Sequence, residues 1–501
     1  MNRTLSVIFT SDTHGYVYPT DYIASGERPM GLLRIASIAA MRDENALYLD
    51  GGDTIQGSPL TYYCVSRHQP LPVAALMKHA RLDYYTLGNH DFNNGYDYLL
   101  EYMNALDARC VCANVRDLTG RAPILPWDVR VMPNGLRVGI TGVVTDWVNV
   151  WERPENLTNW RITDAAEAAR EASAALRAQH VDLALLICHG GFEDDLKTGH
   201  HLSDTTENQA CRIARECDFD CIFTGHQHIE QEGVMLSDTL VCQPPANAVQ
   251  YIRAELTPQG PRSARLVRPE QPADAALSER WRPFERALDR FLDAPLGRLN
   301  MALRPGDKLQ MALHGSPVAT FFNMVQLDAM GAEISGTCLA NDIRGFDANV
   351  TVRDVVSTYV YANTLVVKRL DAAAMKAVLE RCAAYFDVRD RQIRISEDFL
   401  KPKVAHYNYD FFLGVEYEFD LNRPVGDRVT KLTIGGKPYT DTHTVVMNNY
   451  RATGSGGYDV LRSCPTIRED STSVSEWIIR YLDRRDCVTV PAESSFSVRY
   501  C

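Results

Sequence analysis

Five short apolar runs in the first half of the chain each stop at a cluster of Asp, Asn, His and Gly, and this repetition limits the possible folds more than any other feature. Leu5 to Thr10, Ala46 to Leu49, Tyr84 to Leu87, Leu183 to Cys188 and Cys221 to Thr224 read as strands, and Arg137 to Val143 as a sixth. The five run into Ser11-Asp12-Thr13-His14, Asp50-Gly51-Gly52-Asp53, Gly88-Asn89-His90-Asp91, His189-Gly190-Gly191 and Gly225-His226-Gln227-His228. Helical patterns such as Gly31 to Arg42 lie between them, and strands alternating with helices predict an α/β layered fold. Such folds bind ligands at the carboxyl edge of the sheet, where these clusters would gather.

The clustered residue types are those a divalent transition metal prefers. Asp12 and His14 are two residues apart, so both can turn to one rim of the sheet. Asp53 follows a Gly-Gly pair that permits a sharp turn, and a carboxylate has two oxygens to share between two cations. Asn89 offers a neutral amide oxygen, and His189, His226 and His228 complete a set able to hold two metals about 3.5 to 4 Å apart. A lone histidine at a strand end is usually a hydrogen-bonded structural residue, and Asp-Gly-Gly-Asp is usually a turn. Five such motifs together make that bland explanation improbable. Cys188 adjoins His189, but strand alternation points it to the opposite face, where it is expected to pack.

A chain of 501 residues exceeds what one hydrophobic core usually serves, so two domains are expected. The net charge of -12 argues against affinity for a nucleic-acid polymer. No uncharged run approaches the roughly 20 residues of a membrane span, and no export signal is visible. Thirteen scattered cysteines fit reduced, mostly buried thiols, and with them a cytoplasmic location. Around Pro258 to Pro272 the pattern breaks into Pro, Gly and polar residues, and Ala275 to Asp293 reads as an amphipathic helix, kinked or restarted at Pro283. The expected divisions are therefore 1–260, a connector over 261–300, and 301–501. The last part predicts helices at Pro317 to Met330 and Asp371 to Tyr385, strands with a short helix over Val352 to Val367, and hairpins from Phe411 to Met447. A final helix, Ser473 to Arg484, opens with a capping-box spacing from Ser473 to Glu476.

The order of the motifs resembles that of calcineurin-like metallophosphoesterases: Asp12-Thr-His14, Gly52-Asp53, Gly88-Asn89-His90-Asp91, an isolated His189, then Gly225-His226-Gln-His228. The resemblance implies a four-layer β-sandwich flanked by helices. It also implies one metal on Asp12, His14, Asp53 and His228, and a second on Asp53, Asn89, His189 and His226, with Asp53 bridging. His90 would be the catalytic residue beside the scissile phosphate. Two cations of this kind, Mn, Zn, Co or Fe, activate a water as the attacking hydroxide near neutral pH, so no serine or cysteine nucleophile is needed.

After the connector helix, the remaining chain resembles the 5'-nucleotidase C-terminal domain, a second α+β unit that binds substrate. Tyr359-Val-Tyr361-Ala-Asn363, Tyr407-Asn-Tyr409-Asp410, Pro424-Val-Gly-Asp-Arg428 and Asn448-Asn-Tyr450-Arg-Ala-Thr-Gly-Ser-Gly-Gly-Tyr458 carry the likeness. In that family two aromatic rings grip the nucleobase, and base stacking contributes roughly 1–3 kcal/mol. One ring maps to Tyr450 and the other to Tyr407 or Tyr409. Arg344, in Asn341-Asp-Ile-Arg344, stands where the family binds phosphate, and Gly456 where it has an Asp expected to contact the ligand. Asn93 replaces the Asp that orients the catalytic histidine in the 5'-nucleotidase branch. With Tyr450-Arg-Ala452 and Trp147 to Trp151, it resembles the 2',3'-cyclic-nucleotide 2'-phosphodiesterase/3'-nucleotidase branch. The expected function is that activity on a small nucleotide. The alternatives are a 5'-nucleotidase or nucleotide-sugar hydrolase, and a catalytically silent nucleotide-binding module. The oligomeric state is open, and a monomer is compatible with the sequence.

Overall fold

The computed structural model describes residues 3–23, 26–67, 72–202, 205–361, 363–401, 403–470, 472–491 and 495–500. It divides into two units, 1–288 and 289–501. The division falls within the helix Ala275–Leu292, which continues through Pro283 without a restart. Proline removes one intrahelical hydrogen bond, and the buried stripe of Leu277, Trp281, Leu288 and Leu292 outweighs that loss.

Two sheets form the first unit. One has the strand order Arg262–Val267, Tyr251–Leu256, Leu5–Thr10, Ala46–Asp50, Tyr84–Tyr85, Arg109–Val111 and Ile124–Leu125. The other runs Gln231–Leu236, Thr239–Gln243, Cys221–Thr224, Leu183–His189, Arg137–Val144 and Trp127–Val131. Leu5–Thr10 is parallel to Ala46–Asp50, and Leu183–His189 is parallel to both its neighbours, so the motif-bearing strands of each sheet end together. Alternation sends Val7 and Phe9 toward Leu185, Ile187 and Phe223 of the other sheet, where the Phe9 and Phe223 ring centroids lie 5.0 Å apart. On the far face of the second sheet, Leu186 and Cys188 pack with Ala169 and Leu176 of the helix Ala165–Ala178. Across the first sheet, the Tyr48 hydroxyl donates to Met77 Sδ in the helix Pro72–His79. The layers are thus helix, sheet, sheet, helix.

Two details differ from the sequence reading. The strand at Tyr84 stops at Tyr85, two residues early, as the chain turns toward Gly88. The supposed connector beyond Pro258 includes the edge strand Arg262–Val267, antiparallel to Tyr251–Leu256; its arginines made it look like a linker, although charge is common on an edge.

The second unit has a five-stranded sheet, ordered Asp410–Leu413, Ile334–Cys338, His443–Asn448, Leu365–Leu370 and Thr466–Asp470. A four-stranded sheet follows the order Lys437–Pro438, Val429–Ile434, Glu416–Asp420 and Phe496–Arg499. Their shared core includes Phe321, Phe322, Leu379 and Ile478 from the helices Pro317–Met330, Ala372–Ala383 and Val474–Asp483. Ser473 accepts the Glu476 backbone N–H as predicted, while the Glu476 carboxylate takes the Arg480 guanidinium.

Candidate metal centre

Asp12, His14, Asp53, His226 and His228 all have left-handed backbone, with φ of 53°, 48°, 54°, 71° and 57°. For residues with a Cβ this costs on the order of 1–3 kcal/mol each, and such residues gather at functional sites. Hydrogen bonds between the loops hold the strained turns: Asp12 N–H to the Gly52 carbonyl and His14 N–H to the Asp53 carbonyl, both 2.9 Å. The His226 N–H donates to the Asp12 carboxylate at 3.0 Å, which joins the first and last motifs. Gly88 is needed for close approach, because a Cβ there would lie 2.2 Å from Asp53 Oδ1.

The side chains converge. His14 Nε2 lies 3.2 Å from His228 Nε2, which is 3.3 Å from Asp12 Oδ1. His189 Nε2 lies 3.2 Å from Asp53 Oδ2 and 4.0 Å from Asp12 Oδ1. The Asn89 Oδ1 atom is 3.1 Å from His189 Nε2 and 2.9 Å from His226 Nδ1. Asp12 with His14 and His228, and Asp12 with Asp53 and His189, each bring their ligand atoms within 4.8 Å of one another. All seven predicted ligands therefore gather where the motif-bearing strands of the two sheets end. His228 is the most exposed of them, and the rest are buried.

These residues fit metal ions on three counts. Asp53 Oδ2 is buried and accepts no hydrogen bond, an arrangement that is costly unless a cation is near. His14 Nδ1 sits 2.8 Å from the Gln56 carbonyl and His189 Nδ1 2.6 Å from the Gly51 carbonyl. A carbonyl only accepts, so each Nδ1 carries a proton, and Nε2 is the nitrogen each ring turns to the cluster, a lone-pair donor whenever the ring is neutral. Burial and then the neighbouring His228 push the His14 pKa down to about 4, which keeps the ring neutral.

His90 lies beside this cluster, its ring centroid 5.7 Å from that of His14 and its backbone N–H donating to Asp53 Oδ1 at 2.6 Å. His90 Nδ1 is 2.8 Å from Asn93 Oδ1.

Sequence reasoning missed the residues that support the ligands. The Asp91 carboxylate accepts from the backbone N–H groups of Gly88, Asp53 and Thr54 at 2.8–3.0 Å, which ties the second motif to the third. Glu207 Oε1 lies 3.0 Å from His226 Nε2, leaving Nδ1 to face Asn89. The Trp151 ring stacks on His226 with centroids 5.5 Å apart. Asp91 was readable as the acidic residue after Asn-His, whereas Glu207 belongs to a loop with no periodic or motif signal. Cys188 does pack away from the site, and burial pushes its thiol up to about 12.

In the second unit, Tyr407 and Tyr450 are both half-buried. The Tyr361 and Tyr407 centroids are 6.3 Å apart. Burial, then the nearby Tyr407, Cys338 and Tyr450, raise the Tyr361 hydroxyl well above its ordinary range, so the three tyrosines are neighbours. Tyr409 is not available for stacking: it is 2% exposed, its hydroxyl donates to the Ala312 carbonyl, and its ring packs on Tyr385 and Phe411. Tyr407 lies in the one-turn helix His406–Asn408, whereas Tyr409 follows it in extended backbone leading into the strand Asp410–Leu413, which is how two tyrosines so close in sequence part. Buried Arg451 organises the tyrosines: Nε donates to Asp410 Oδ2 at 2.7 Å, Nη2 to the Tyr407 carbonyl at 2.8 Å and Nη1 to the Ser455 carbonyl at 2.7 Å. Gly456 has φ 80°, and a Cβ there would lie 2.2 Å from Asn408 Oδ1, so Asn408 fills the space of the side chain that the resemblance expects. Arg344 Nε donates to buried Asp354 at 2.7 Å.

Residues 5–230 match the calcineurin-like phosphoesterase family and residues 298–463 the 5'-nucleotidase, C-terminal domain family. The chain is 23% identical to the trifunctional nucleotide phosphoesterase protein YfkN of Bacillus subtilis over 99% of its own length, and spans 39% of that relative. It is 25% identical to the 2',3'-cyclic-nucleotide 2'-phosphodiesterase/3'-nucleotidase of Salmonella typhimurium, covering 95% of this chain and 85% of the relative. A solved structure of a candidate 5'-nucleotidase from Staphylococcus aureus, in complex with alpha-ketoglutarate, is 29% identical with a TM-score of 0.91, covering 99% of this chain and 100% of that one.

Proposed function

We propose that this chain, in which a calcineurin-like phosphoesterase domain joins a 5'-nucleotidase C-terminal domain to make a metal-dependent phosphoric ester hydrolase, opens 2',3'-cyclic nucleotides at the 2' ester and then removes the 3'-phosphate. The observation carrying the choice of substrate is Asn93 beside His90, where the 5'-nucleotidase branch is expected to have Asp. Near full-length likeness to relatives named for this pair of activities supports it.

Asp12, His14, Asp53 and His228 would hold one divalent cation, and Asp53, Asn89, His189 and His226 the second. When bound, such cations supply positive charge to the phosphoryl oxygens and acidify water. The remaining work falls to the chain itself. The left-handed loops hold the ligands in place before substrate arrives, so little rearrangement is required. His90 is the group proposed to pass a proton from Nε2 to the ribose oxygen as its bond to phosphorus breaks. Tyr407 and Tyr450 would stack on the base, and Arg344, anchored by Asp354, would face the phosphate. Gly456 would let the backbone approach the ligand.

We place the protein in a reducing compartment such as the cytoplasm, because all twelve described cysteines are unpaired and ten are buried. Among the described residues no helix is long and apolar enough to cross a membrane. A second reading, 5'-nucleotidase action, is favoured by the Staphylococcus aureus likeness.

The test compares kcat/KM for 2',3'-cyclic AMP, 3'-AMP, 5'-AMP and a nucleotide sugar with Mn or Zn. Preference for the first two is expected. Cleavage of 5'-AMP alone would reject the cyclic-nucleotide reading in favour of the second.

A further inference from the structure

We infer that Glu152 is a positioning residue for His90, acting through the Asn93 carboxamide. The inference rests on the reading of His90 as the catalytic proton carrier.

Glu152 lies 59 residues beyond Asn93, and its side chain is 5% exposed. Its Oε1 accepts the Arg153 backbone N–H at 2.7 Å and the Asn156 amide at 2.8 Å, while Oε2 accepts the Asn93 Nδ2 group. Asn156 also donates to the Asn93 backbone carbonyl at 3.0 Å, so Asn93 is held by both its main chain and its side chain.

The order of donors and acceptors along this line fixes the protons. A backbone N–H can only donate, and the carboxylate it meets accepts. Asn93 must therefore turn its NH2 group toward Glu152, which leaves Oδ1, an obligate acceptor, 2.8 Å from His90 Nδ1. That nitrogen must carry a hydrogen. His90 Nε2 is then the nitrogen free to exchange a proton with substrate, while Nδ1 serves as a fixed tether.

The carboxylate that the family resemblance places directly behind the catalytic histidine is thus not lost. It stands one side chain further back, with a neutral amide between. Such an amide transmits orientation and tautomer without placing a full negative charge in contact with the ring. The same segment carries Trp151, whose ring lies on the metal-site residue His226, so one short stretch supports both histidines.

The experiment follows the His90 ring nitrogens by 15N NMR in metal-free protein, assigned with His90→Gln, alongside steady-state kinetics of the metal-loaded enzyme. Wild type should show the Nδ1-protonated ring. In Glu152→Gln the new amide can donate to Asn93 Oδ1, letting Asn93 turn its NH2 to the ring; the Nδ1–H signal should weaken. The kcat should fall about 10- to 100-fold with KM changed less than twofold. Asn93→Asp alone sets two carboxylates together and should also lower kcat. The double variant Glu152→Gln/Asn93→Asp restores the donor order, because Gln donates to Asp and Asp accepts from Nδ1–H, and should recover the ring signal and most of kcat. An unchanged ring signal in Glu152→Gln, or a double variant no better than either single one, would overturn the inference. A shifted signal with unchanged turnover would uphold the hold of Glu152 on His90 and overturn the catalytic role of His90 instead.

Discussion

Asp53 Oδ2 lies 3.2 Å from His189 Nε2 in a fully buried site, and in metal-free protein the imidazolium stands in for a cation. Burial lowers the His189 pKa, but Asp53 and Asp12 outweigh it and hold it up at about 10, against 6.5 for an ordinary histidine. A raised folded-state value stabilises the fold fully below pH 6.5 and is lost as pH rises through about 10. The Tm of metal-free protein should therefore fall between pH 7 and 10, and His189→Asn should flatten that fall. A metal must displace this proton, so near pH 8 its binding should release about one proton from His189. Calorimetry in buffers of different ionisation enthalpy measures the release; the same heat in every buffer would contradict the assignment.

Asp91 offers a test of the scaffold. Its carboxylate serves the N–H groups of Gly88, Asp53 and Thr54, and Asp91→Asn would turn an amide NH2 toward buried donors. The expected loss of stability is about 1–3 kcal/mol by urea unfolding. Metal content should fall with it, because the backbone of Asp53, and of Gly88 next to Asn89, hydrogen-bonds to the same carboxylate.

Much of this candidate centre was legible in the sequence because the residues proposed as ligands follow strand ends, and strands announce themselves by length, β-branching and alternation. Asp12, Asp53 and His189 needed only the rule that parallel strands deliver their carboxyl ends to one edge. Glu207 and Glu152 were not legible. Each sits in a loop, 19 and 59 residues from its partner, where no local pattern marks a carboxylate aimed at a distant histidine or amide. Tyr407 and Tyr409 differ by two positions, and only packing separates the half-buried ring from the one in the core. The edge strand Arg262–Val267 was missed because arginines that suit an exposed edge also suit a linker.

The tyrosines separate binding from stability. Tyr450→Ala should raise KM for nucleotides about 5- to 150-fold, the equivalent of roughly 1–3 kcal/mol of stacking, and leave KM for a small aryl phosphate diester unchanged. Tyr409→Ala should instead destabilise the second unit by about 3–5 kcal/mol, as loss of a buried aromatic does, with nucleotide KM unaltered in the folded fraction. A nucleotide-specific KM effect at Tyr409 would reverse the assignment.

Glu207→Gln and Trp151→Ala each remove a contact to His226. Each should weaken one of two metal-binding events about 10- to 100-fold, resolved by titration calorimetry, and leave the other within a factor of two. Equal weakening of both events would argue against His226 serving one cation.

The most direct measurement is a 31P NMR time course on 2',3'-cyclic AMP with Mn-free, Zn-loaded enzyme. The cyclic phosphodiester signal should give way first to 3'-AMP and then to inorganic phosphate. Persistence of the cyclic signal while 5'-AMP is consumed under the same conditions would contradict the proposed activity.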